Sequence, residues 1–269
     1  MGLLNLDDTI ETVSDSAKEQ SRLPLDVLLV SSVLAGAYIA FSAFVAMFAS
    51  VGNPWPEAVP GMQKLLYAIL YPLGKVFVIV AGAHLFTGNC MSFTVAYLKH
   101  EVKGRDLVKN LAWVWIGNFA GGVLVAYLFG RVSGILMSAP WLSYAHYLAK
   151  GKCSHTFTAA FWRGVGANWL GCLAAWMATR SQTVIEKTVV SYIPVMILAA
   201  LGVENSISNM FTIPASLFTM GSTPYVSWRI FFINNLFPVT LGNIVGGALF
   251  VGGIYLFISK GKNRARVGI

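Results

Sequence analysis

The sequence carries little charge for its length. Charged residues make up 11% of the 269 residues, whereas 56% are hydrophobic and the mean hydropathy is +0.66. A soluble globule needs more charged surface than this, and a single core could not hide so many apolar residues. The composition therefore excludes an ordinary soluble protein and predicts a chain that lies in a lipid bilayer.

The residue groupings that build metal, redox and catalytic sites are also missing from the sequence. Cys90, Cys153 and Cys172 form no C-x-x-C pair, which argues against zinc, iron–sulfur and disulfide frameworks. The four histidines form no H-x-x-x-H arrangement with a nearby glutamate (His84, His100, His146 and His155). We therefore predict no metal and no cofactor. We do not expect an enzyme, because the apolar segments offer isolated histidines and one glutamate, Glu204, with no clustered nucleophile and base.

Long apolar segments are abundant, and six of them can cross a bilayer, which takes about 20 helical residues. They are residues 25–50, 62–98, 110–137, 158–179, 187–219 and 229–258. The second and fifth are too long for a simple span and contain polar interruptions, H-L-F-T-G-N at 84–89 and V-E-N-S-I-S-N-M at 203–210. Irregular backbone at membrane depth is tolerated only where protein or a water-filled cavity satisfies it. The sequence predicts an all-helical membrane protein with six spans, the second and fifth broken.

A weak internal repeat relates the two halves of the chain. Residues 115–126 read W-I-G-N-F-A-G-G-V-L-V-A and residues 240–251 read T-L-G-N-I-V-G-G-A-L-F-V, which share the frame G-N-x-x-G-G. The third span therefore matches the sixth, and the broken second span matches the broken fifth. Three repeated spans imply halves of opposite orientation, as in inverted-repeat transporters and channels. We place the repeats at about 25–137 and 158–258, and expect the glycines to let helices pack closely.

The distribution of lysine and arginine predicts the orientation of the chain. With both termini cytoplasmic, the inner segments hold twelve of these residues and the outer segments hold four. The inner ones are Lys18, Arg22, Lys99, Lys103, Arg105, Lys109, Arg180, Lys187, Lys260, Lys262, Arg264 and Arg266, and the outer ones are Lys64, Lys150, Lys152 and Arg229. The net charge of +8 then reflects topology and attraction to anionic lipid, so no nucleic-acid partner is expected.

The segments that flank the membrane domain, residues 25–259, are predicted to be cytoplasmic. Residues 1–24 hold five acidic side chains and no basic region before an apolar stretch, which is not a signal peptide. They are typical of an amphipathic helix at the membrane surface. A gate that responds to pH or to a partner is the alternative interpretation. Residues 260–269 form a basic tail. Aromatic residues at the span ends are expected to be interfacial anchors (Trp55, Trp141, Tyr225 and Trp228).

Five motifs in order resemble the formate/nitrite transporter family over nearly the whole chain. They are L-F-T-G-N (85–89), G-N-F-A-G-G (117–122), G-A-N-W-L-G-C (166–172), E-N-S-I-S-N-M-F-T-I-P (204–214) and N-N-L-F-P-V-T-L-G-N-I-V-G-G (234–247). The resemblance implies an aquaporin-like fold and a homopentamer with one pore in each protomer. It also implies passage of small monovalent anions such as formate, nitrite or hydrosulfide across the cell membrane.

The same resemblance suggests roles for individual residues. The family has a histidine at the centre of the pore where this chain has Asn205; an amide donates hydrogen bonds but does not titrate. By the same resemblance, Thr87 faces the central residue, Lys152 attracts anions to the outer vestibule, and Asn168 lines the pore. Glu204 ties the broken segments together. Leu198 lies at the outer hydrophobic constriction and Tyr71 at the inner one. His84 replaces an acid and is expected either to titrate or to act as hydrogen-bonded scaffold.

Lys75 is a larger departure, because the family has an aliphatic residue at this position of the inner constriction. A lysine that faces lipid at a helix centre costs about 2.5–3.5 kcal/mol, so Lys75 is expected to face the pore or a partner. Two interpretations stay open. Lys75 either forms a structural pair with Glu204, or it supplies the positive charge that Asn205 lacks.

Two alternatives of other classes were weighed against an anion pore. A neutral-solute pore of the aquaporin type would share the inverted repeat, but the sequence has no N-P-A box. A second possible role is that of a scaffold, which would hold a cytoplasmic enzyme through the acidic N-terminal segment. Formate is the expected substrate because the branch with asparagine in place of histidine resembles formate carriers. It is expected to move passively or with a proton, and nitrite and hydrosulfide are the alternatives.

Overall fold

The computed structural model describes residues 2–51 and 61–267, and every regular element in these ranges is a helix. The helices are α1 (Leu6–Ser21), α2 (Leu25–Ser50), α3 (Met62–Leu70), α4 (Leu73–Ala81), α5 (Phe86–Leu98), α6 (Gly104–Val125), α7 (Trp141–Cys153), α8 (Phe157–Arg180), α9 (Val184–Leu201), α10 (Ser206–Met220), α11 (Trp228–Ile230), α12 (Phe237–Gly247) and α13 (Ile254–Val267). Helices α6, α11 and α12 each continue into a π-helical stretch, Ala126–Val132, Phe231–Leu236 and Ala248–Gly253. The predicted anchor Trp55 and the last two residues of the predicted tail lie outside the described residues.

Within the described ranges, five stretches of helix are long and apolar enough to cross a membrane. They are Leu25–Ser50, Met62–Ala81, Gly104–Val132, Val184–Leu201 and Trp228–Lys262. The helix within the remaining predicted span, α8, has 24 residues, or about 36 Å at the usual rise per residue. Its composition is less apolar because it packs between α9 and α12 and buries small and polar side chains such as Asn168.

The second and fifth predicted spans are broken in the same way. Helix α4 ends at Ala81 and is capped by Gly82 (φ 77°), three more non-helical residues follow, and α5 begins at Phe86. Helix α9 ends at Leu201 and is capped by Gly202 (φ 68°), three more non-helical residues follow, and α10 begins at Ser206. Both glycines have the left-handed conformation that glycine adopts without strain. We call residues 82–85 the first break and residues 202–205 the second break.

The repeated glycines bring the helices of each half into backbone contact. A Cβ atom added to Gly121 would lie 2.1 Å from the carbonyl oxygen of Val33, and one added to Gly246 would lie 2.4 Å from that of Val165. Neither distance is possible for real atoms, so only glycine allows α6 to pack on α2 and α12 to pack on α8. The two halves of the chain therefore use the same packing, as the sequence repeat predicts.

Helix α1 packs across the ends of α5, α8 and α13. It begins at Asn5, whose side-chain oxygen accepts a hydrogen bond from the Asp8 backbone at 2.9 Å, and it buries Ile10 and Val13. An ion pair joins Lys18 to Glu101 at 2.6 Å. The acidic N-terminal segment is thus an amphipathic helix that contacts the helical body.

Candidate functional site

The two breaks are held by asparagines that belong to the repeated G-N-x-x-G-G frame. At the first break, Asn118 accepts a hydrogen bond from the Phe86 backbone at 2.9 Å and donates to the carbonyl oxygens of Ser32 and His84 at 2.7 and 3.0 Å. One buried side chain therefore satisfies backbone groups of the first break and of helix α2. Unsatisfied, these groups would be costly at membrane depth.

Asn243 repeats the arrangement at the second break. It accepts from the Ser206 backbone at 2.9 Å and donates to the carbonyl oxygens of Gly164 and Glu204 at 2.8 and 3.1 Å. The sequence predicts a packing role for the glycines of this frame, and the role of its asparagines becomes evident only in the structure. The signal was present, because an asparagine repeated within two apolar spans needs polar partners.

Asn205 is the N-cap of α10. Its side-chain oxygen accepts hydrogen bonds from the backbones of Ile207 and Ser208 at 2.9 and 3.4 Å, so its amide nitrogen Nδ2 is left as the outward donor. That nitrogen donates to no other residue in the described part of the chain. Asn205 is therefore placed to donate a hydrogen bond to a ligand at the second break.

Glu204 is buried and pairs with Lys152. The Lys152 ammonium lies 3.1 and 3.3 Å from the two carboxylate oxygens, and Asn209 and Asn235 donate to the carboxylate at 2.7 and 3.4 Å. The imidazole of His155 lies 3.8 Å away. This network joins the second break to α10, to the end of α7 and to the π-helical stretch that precedes α12.

The interpretation that Lys75 pairs with Glu204 is wrong. Lys75 lies in α4, is 5% exposed, and its side chain makes no hydrogen bond or ion pair with residues 2–51 or 61–267. Glu204 instead faces the end of α7, where Lys152 neutralises it. The linear sequence did not show that α7 folds back over the second break.

A cavity of about 600 Å³ lies on the Lys152 side of the second break, and we call it the vestibule. Its lining includes three lysines and an arginine (Lys64, Lys150, Lys152 and Arg163), four tyrosines (Tyr67, Tyr71, Tyr144 and Tyr147), His155, Leu198, Glu204 and Ser208. Burial lowers the pKa of His155, although Glu204 opposes the shift. The lysines and the arginine outnumber the single carboxylate, which gives the vestibule a positive potential that attracts anions.

Leu198 and Tyr71 line this vestibule together, and both are buried. The family resemblance implies Leu198 at the outer constriction and Tyr71 at the inner one. The end of α3 brings the Tyr71 ring to the same cavity as Leu198. The stacked rings of Tyr67 and Tyr71, with centroids 5.6 Å apart, form one wall of this cavity.

Thr87 and Asn168 meet behind the first break. The amide nitrogen of Asn168 donates to the carbonyl oxygens of Thr87 and Asn243 at 3.0 and 2.6 Å. Because Asn168 is fully buried and both of its amide hydrogens are used, it braces α5 against α12. Asn168 was expected to line the pore, and here it does not present a free donor to a passing ligand. Thr87, in the first turn of α5, is also buried.

His84 contributes backbone groups to the first break. Its N–H donates to the Ser31 hydroxyl at 3.2 Å, and its carbonyl accepts from Asn118. No group of three or more histidine, cysteine, aspartate or glutamate side chains within the described ranges could hold a metal ion. The chemistry of the site is thus that of fixed cations, amides and helix ends, which suits the binding of a small anion.

Comparison with known proteins places this geometry in a family. A sequence model of the formate/nitrite transporters matches residues 7–257. The chain is 39% identical over 264 residues to a probable formate transporter of Methanothermobacter thermautotrophicus, covering 93% of this chain and 95% of the relative. It is 31% identical over 245 residues to a formate channel of Bacillus thuringiensis, covering 91% and 92% of the two chains.

Solved structures agree with this placement. An ion channel of the same family superposes with a TM-score of 0.85 at 29% identity, covering 94% of this chain and 99% of the other. A pentameric formate channel with formate bound superposes with a TM-score of 0.74 at 28% identity, covering 91% and 98%. The predicted all-helical membrane fold is confirmed. The chain belongs to the formate/nitrite transporter family, whose members are multi-pass membrane channels and transporters and not enzymes.

Proposed function

We propose that the chain conducts small monovalent anions, formate first among them, through a pore in each protomer. Two observations carry the proposal: the positively charged vestibule at the second break, and the amide nitrogen of Asn205 in that break, which has no partner within the described residues. The relatives described as formate transporters and channels support formate as the substrate. Nitrite and hydrosulfide, which fit the same chemistry, are the alternatives.

The path begins in the vestibule. Lysines and Arg163 raise the local concentration of anions, and Lys152 lies deepest among them because Glu204 holds its ammonium at the second break. The anion then passes the buried pair Tyr71 and Leu198, where it loses water. This step disfavours strongly hydrated and multiply charged ions.

At the centre, Asn205 donates a hydrogen bond to the anion in place of lost water. Helix α10 begins here, and helix N-termini carry partial positive charge that stabilises anions. Because an amide does not titrate, the central donor keeps its state as pH changes. Thr87 and Lys75 form the proposed continuation of the path beyond Asn205. Asn168 holds Thr87 in place, and Glu204 belongs to the network that holds the second break.

The proposed assembly is a homopentamer with both termini in the cytoplasm. The excess of lysine and arginine in the segments assigned to the inner side supports this orientation, and the pentameric structural relative supports the assembly. In this arrangement residues 25–259 form the membrane domain in a cell membrane, α1 lies on its inner surface against lipid headgroups, and residues 260–269 form the basic tail. The vestibule opens to the outside.

A scaffold role for α1 is not favoured by its contacts. Its acidic side chains bind this chain itself: Glu11 pairs with Lys99, and Asp7 accepts a hydrogen bond from Ser259. A partner enzyme would have to compete with these contacts.

Flux into liposomes tests the proposed function. Purified protein should move formate faster than chloride, and deletion of residues 1–21 should leave substrate preference unchanged. An Asn205→His variant should gain a pH dependence that the wild-type protein lacks, because imidazole titrates near neutral pH. Equal flux of formate in protein-free and protein-containing liposomes would contradict the proposal.

A further inference from the structure

Lys75 is a buried cation that the proposed path does not yet explain. Its side chain is 5% exposed, and it has no ionic or hydrogen-bonding partner within the described residues. An unpaired buried ammonium is costly unless a counter-ion or polar groups stabilise it. The chain carries this residue in the middle of its helical body, so the surroundings of the ammonium indicate what it binds.

The ammonium faces Gly88 in the first turn of α5. A Cβ added to Gly88 would meet one atom outside its own helix turn within 4 Å, the Lys75 Nζ, at 4.0 Å. Gly88 is partly exposed, although Thr87 and Asn89 on either side of it are buried. An open space therefore adjoins both the glycine and the ammonium.

The start of α5 supplies free donors to this region. At the second break, Asn243 and Asn205 accept the backbone N–H groups of Ser206, Ile207 and Ser208. At the first break, Asn118 accepts the Phe86 N–H, but the position equivalent to Asn205 is Leu85, which has no side-chain acceptor. The N–H groups of Thr87 and Gly88 consequently donate to no residue in the described ranges.

We infer that Lys75, Gly88 and the free N–H groups of Thr87 and Gly88 form a second anion-binding subsite, separate from the vestibule, that selects ions by charge and size. This inference rests on the proposed function, because the ligand is an ion in transit. One monovalent anion neutralises one ammonium, whereas a divalent anion would leave a charge unbalanced at a desolvated position. Uncapped helix N-termini bind anions through the same N–H groups.

Gly88 leaves space for the bound anion, and the size of the residue at this position sets how large that anion can be. The open space beside it adjoins the Lys75 ammonium, and a side chain at this position would fill part of that space. Alanine is compatible with the helix and would contact Nζ at an ordinary distance. A Gly88→Ala variant should therefore fold normally, which separates an effect on selectivity from an effect on stability.

The experiment compares Lys75→Met and Gly88→Ala with matched controls in liposomes. The controls are Lys103→Met, an exposed lysine, and Gly166→Ala, where the added methyl would meet one side-chain atom at 3.8 Å. Formate and acetate flux are measured separately, and gel filtration checks assembly of each variant. Lys75→Met should lower formate flux by about tenfold or more, the effect of removing a charged partner from a desolvated ion. Gly88→Ala should lower acetate flux more than formate flux, and both controls should match the wild-type protein.

The outcomes separate the two proposals. Wild-type protein that moves no small anion would contradict the proposed function itself. Wild-type flux that Lys75→Met leaves unchanged, together with an unchanged formate-to-acetate ratio in Gly88→Ala, would overturn the subsite. If Lys75→Met fails to assemble, the Gly88→Ala ratio still decides, because an unchanged ratio contradicts the inference and an increased ratio supports it.

Discussion

The first and second breaks share a backbone and differ in their polar side chains. Each begins with a left-handed glycine, and each is held by the asparagine of a G-N-x-x-G-G frame. The second break has Glu204 and the capping Asn205, whereas the first has His84 and Leu85 in the equivalent places. The shared glycines and asparagines maintain the fold. The side chains that differ give the N-termini of α5 and α10 different capacities to bind an anion.

The asparagines of the shared frame should have the largest effect on stability. An Asn243→Leu substitution removes three hydrogen bonds to buried backbone groups, each worth about 1–3 kcal/mol when a partner is lost. We expect Asn243→Leu and Asn118→Leu to lower the stability of the assembled protein by similar amounts, about 3 kcal/mol or more. Thermal unfolding in detergent measures the stability of each variant. A loss of stability in only one of the two variants would show that the halves are not equivalent.

Neutralising the acid of the second break should have the next largest effect. A Glu204→Gln substitution keeps an acceptor for Asn209 but leaves Lys152 without its counter-ion, which should cost about 1–3 kcal/mol. The matched change at the first break, His84→Gln, should cost little, since only backbone groups of His84 bond there. Unfolding curves of both variants check the contrast, and equal losses would contradict it.

Leu85→Asn makes the first break resemble the second. The new side chain can cap the Thr87 and Gly88 N–H groups and so compete with an anion for them. A cap is worth about 1 kcal/mol, which corresponds to about a fivefold loss of formate flux. Leu85→Ala is the control, because it loses the same leucine packing without adding an acceptor. Formate flux that is equal in the two variants would mean that these N–H groups do not bind the ion.

The smallest expected effect concerns the docking of α1, outside both breaks. The hydrogen bond between Lys18 and Glu101 lowers the pKa of Glu101 and raises that of Lys18. The depressed pKa of Glu101 means that its contribution is present above the unfolded-state pKa and is lost as pH falls through the folded-state pKa. The raised pKa of Lys18 means that its contribution is present below the unfolded-state pKa and is lost as pH rises through the folded-state pKa. The ion pair therefore stabilises α1 docking across neutral pH.

The protection factors of the α1 backbone amides against hydrogen exchange should therefore fall modestly in acid, and Lys18→Met should reduce that acid response. The pair is partly exposed, so its effect should weaken with added salt. Protection of α1 that is independent of pH in the wild-type protein would contradict this account of docking.

Much of the fold could be predicted from the sequence because apolar periodicity and repeated motifs are local signals. The broken spans and the G-N-x-x-G-G frame are examples. The pairing of Glu204 with Lys152 could not be predicted, since it depends on α7 folding back over the second break. The position of Tyr71 in the vestibule depends in the same way on how α3 meets α9 and α7. The free N–H groups at Thr87 and Gly88 became evident only when the caps of the two breaks were compared in three dimensions.

The most direct test of the account is the electrical current that formate carries through the wild-type protein in a planar bilayer as pH is varied. A non-titrating donor at Asn205, with the Lys75 ammonium neutralised by the anion bound beside it, predicts a formate current that follows the concentration of the anion and stays constant while formate remains ionised. Formate uptake that rises in acid without any current would mean that the neutral acid permeates, and it would contradict an anion pore based on fixed charge.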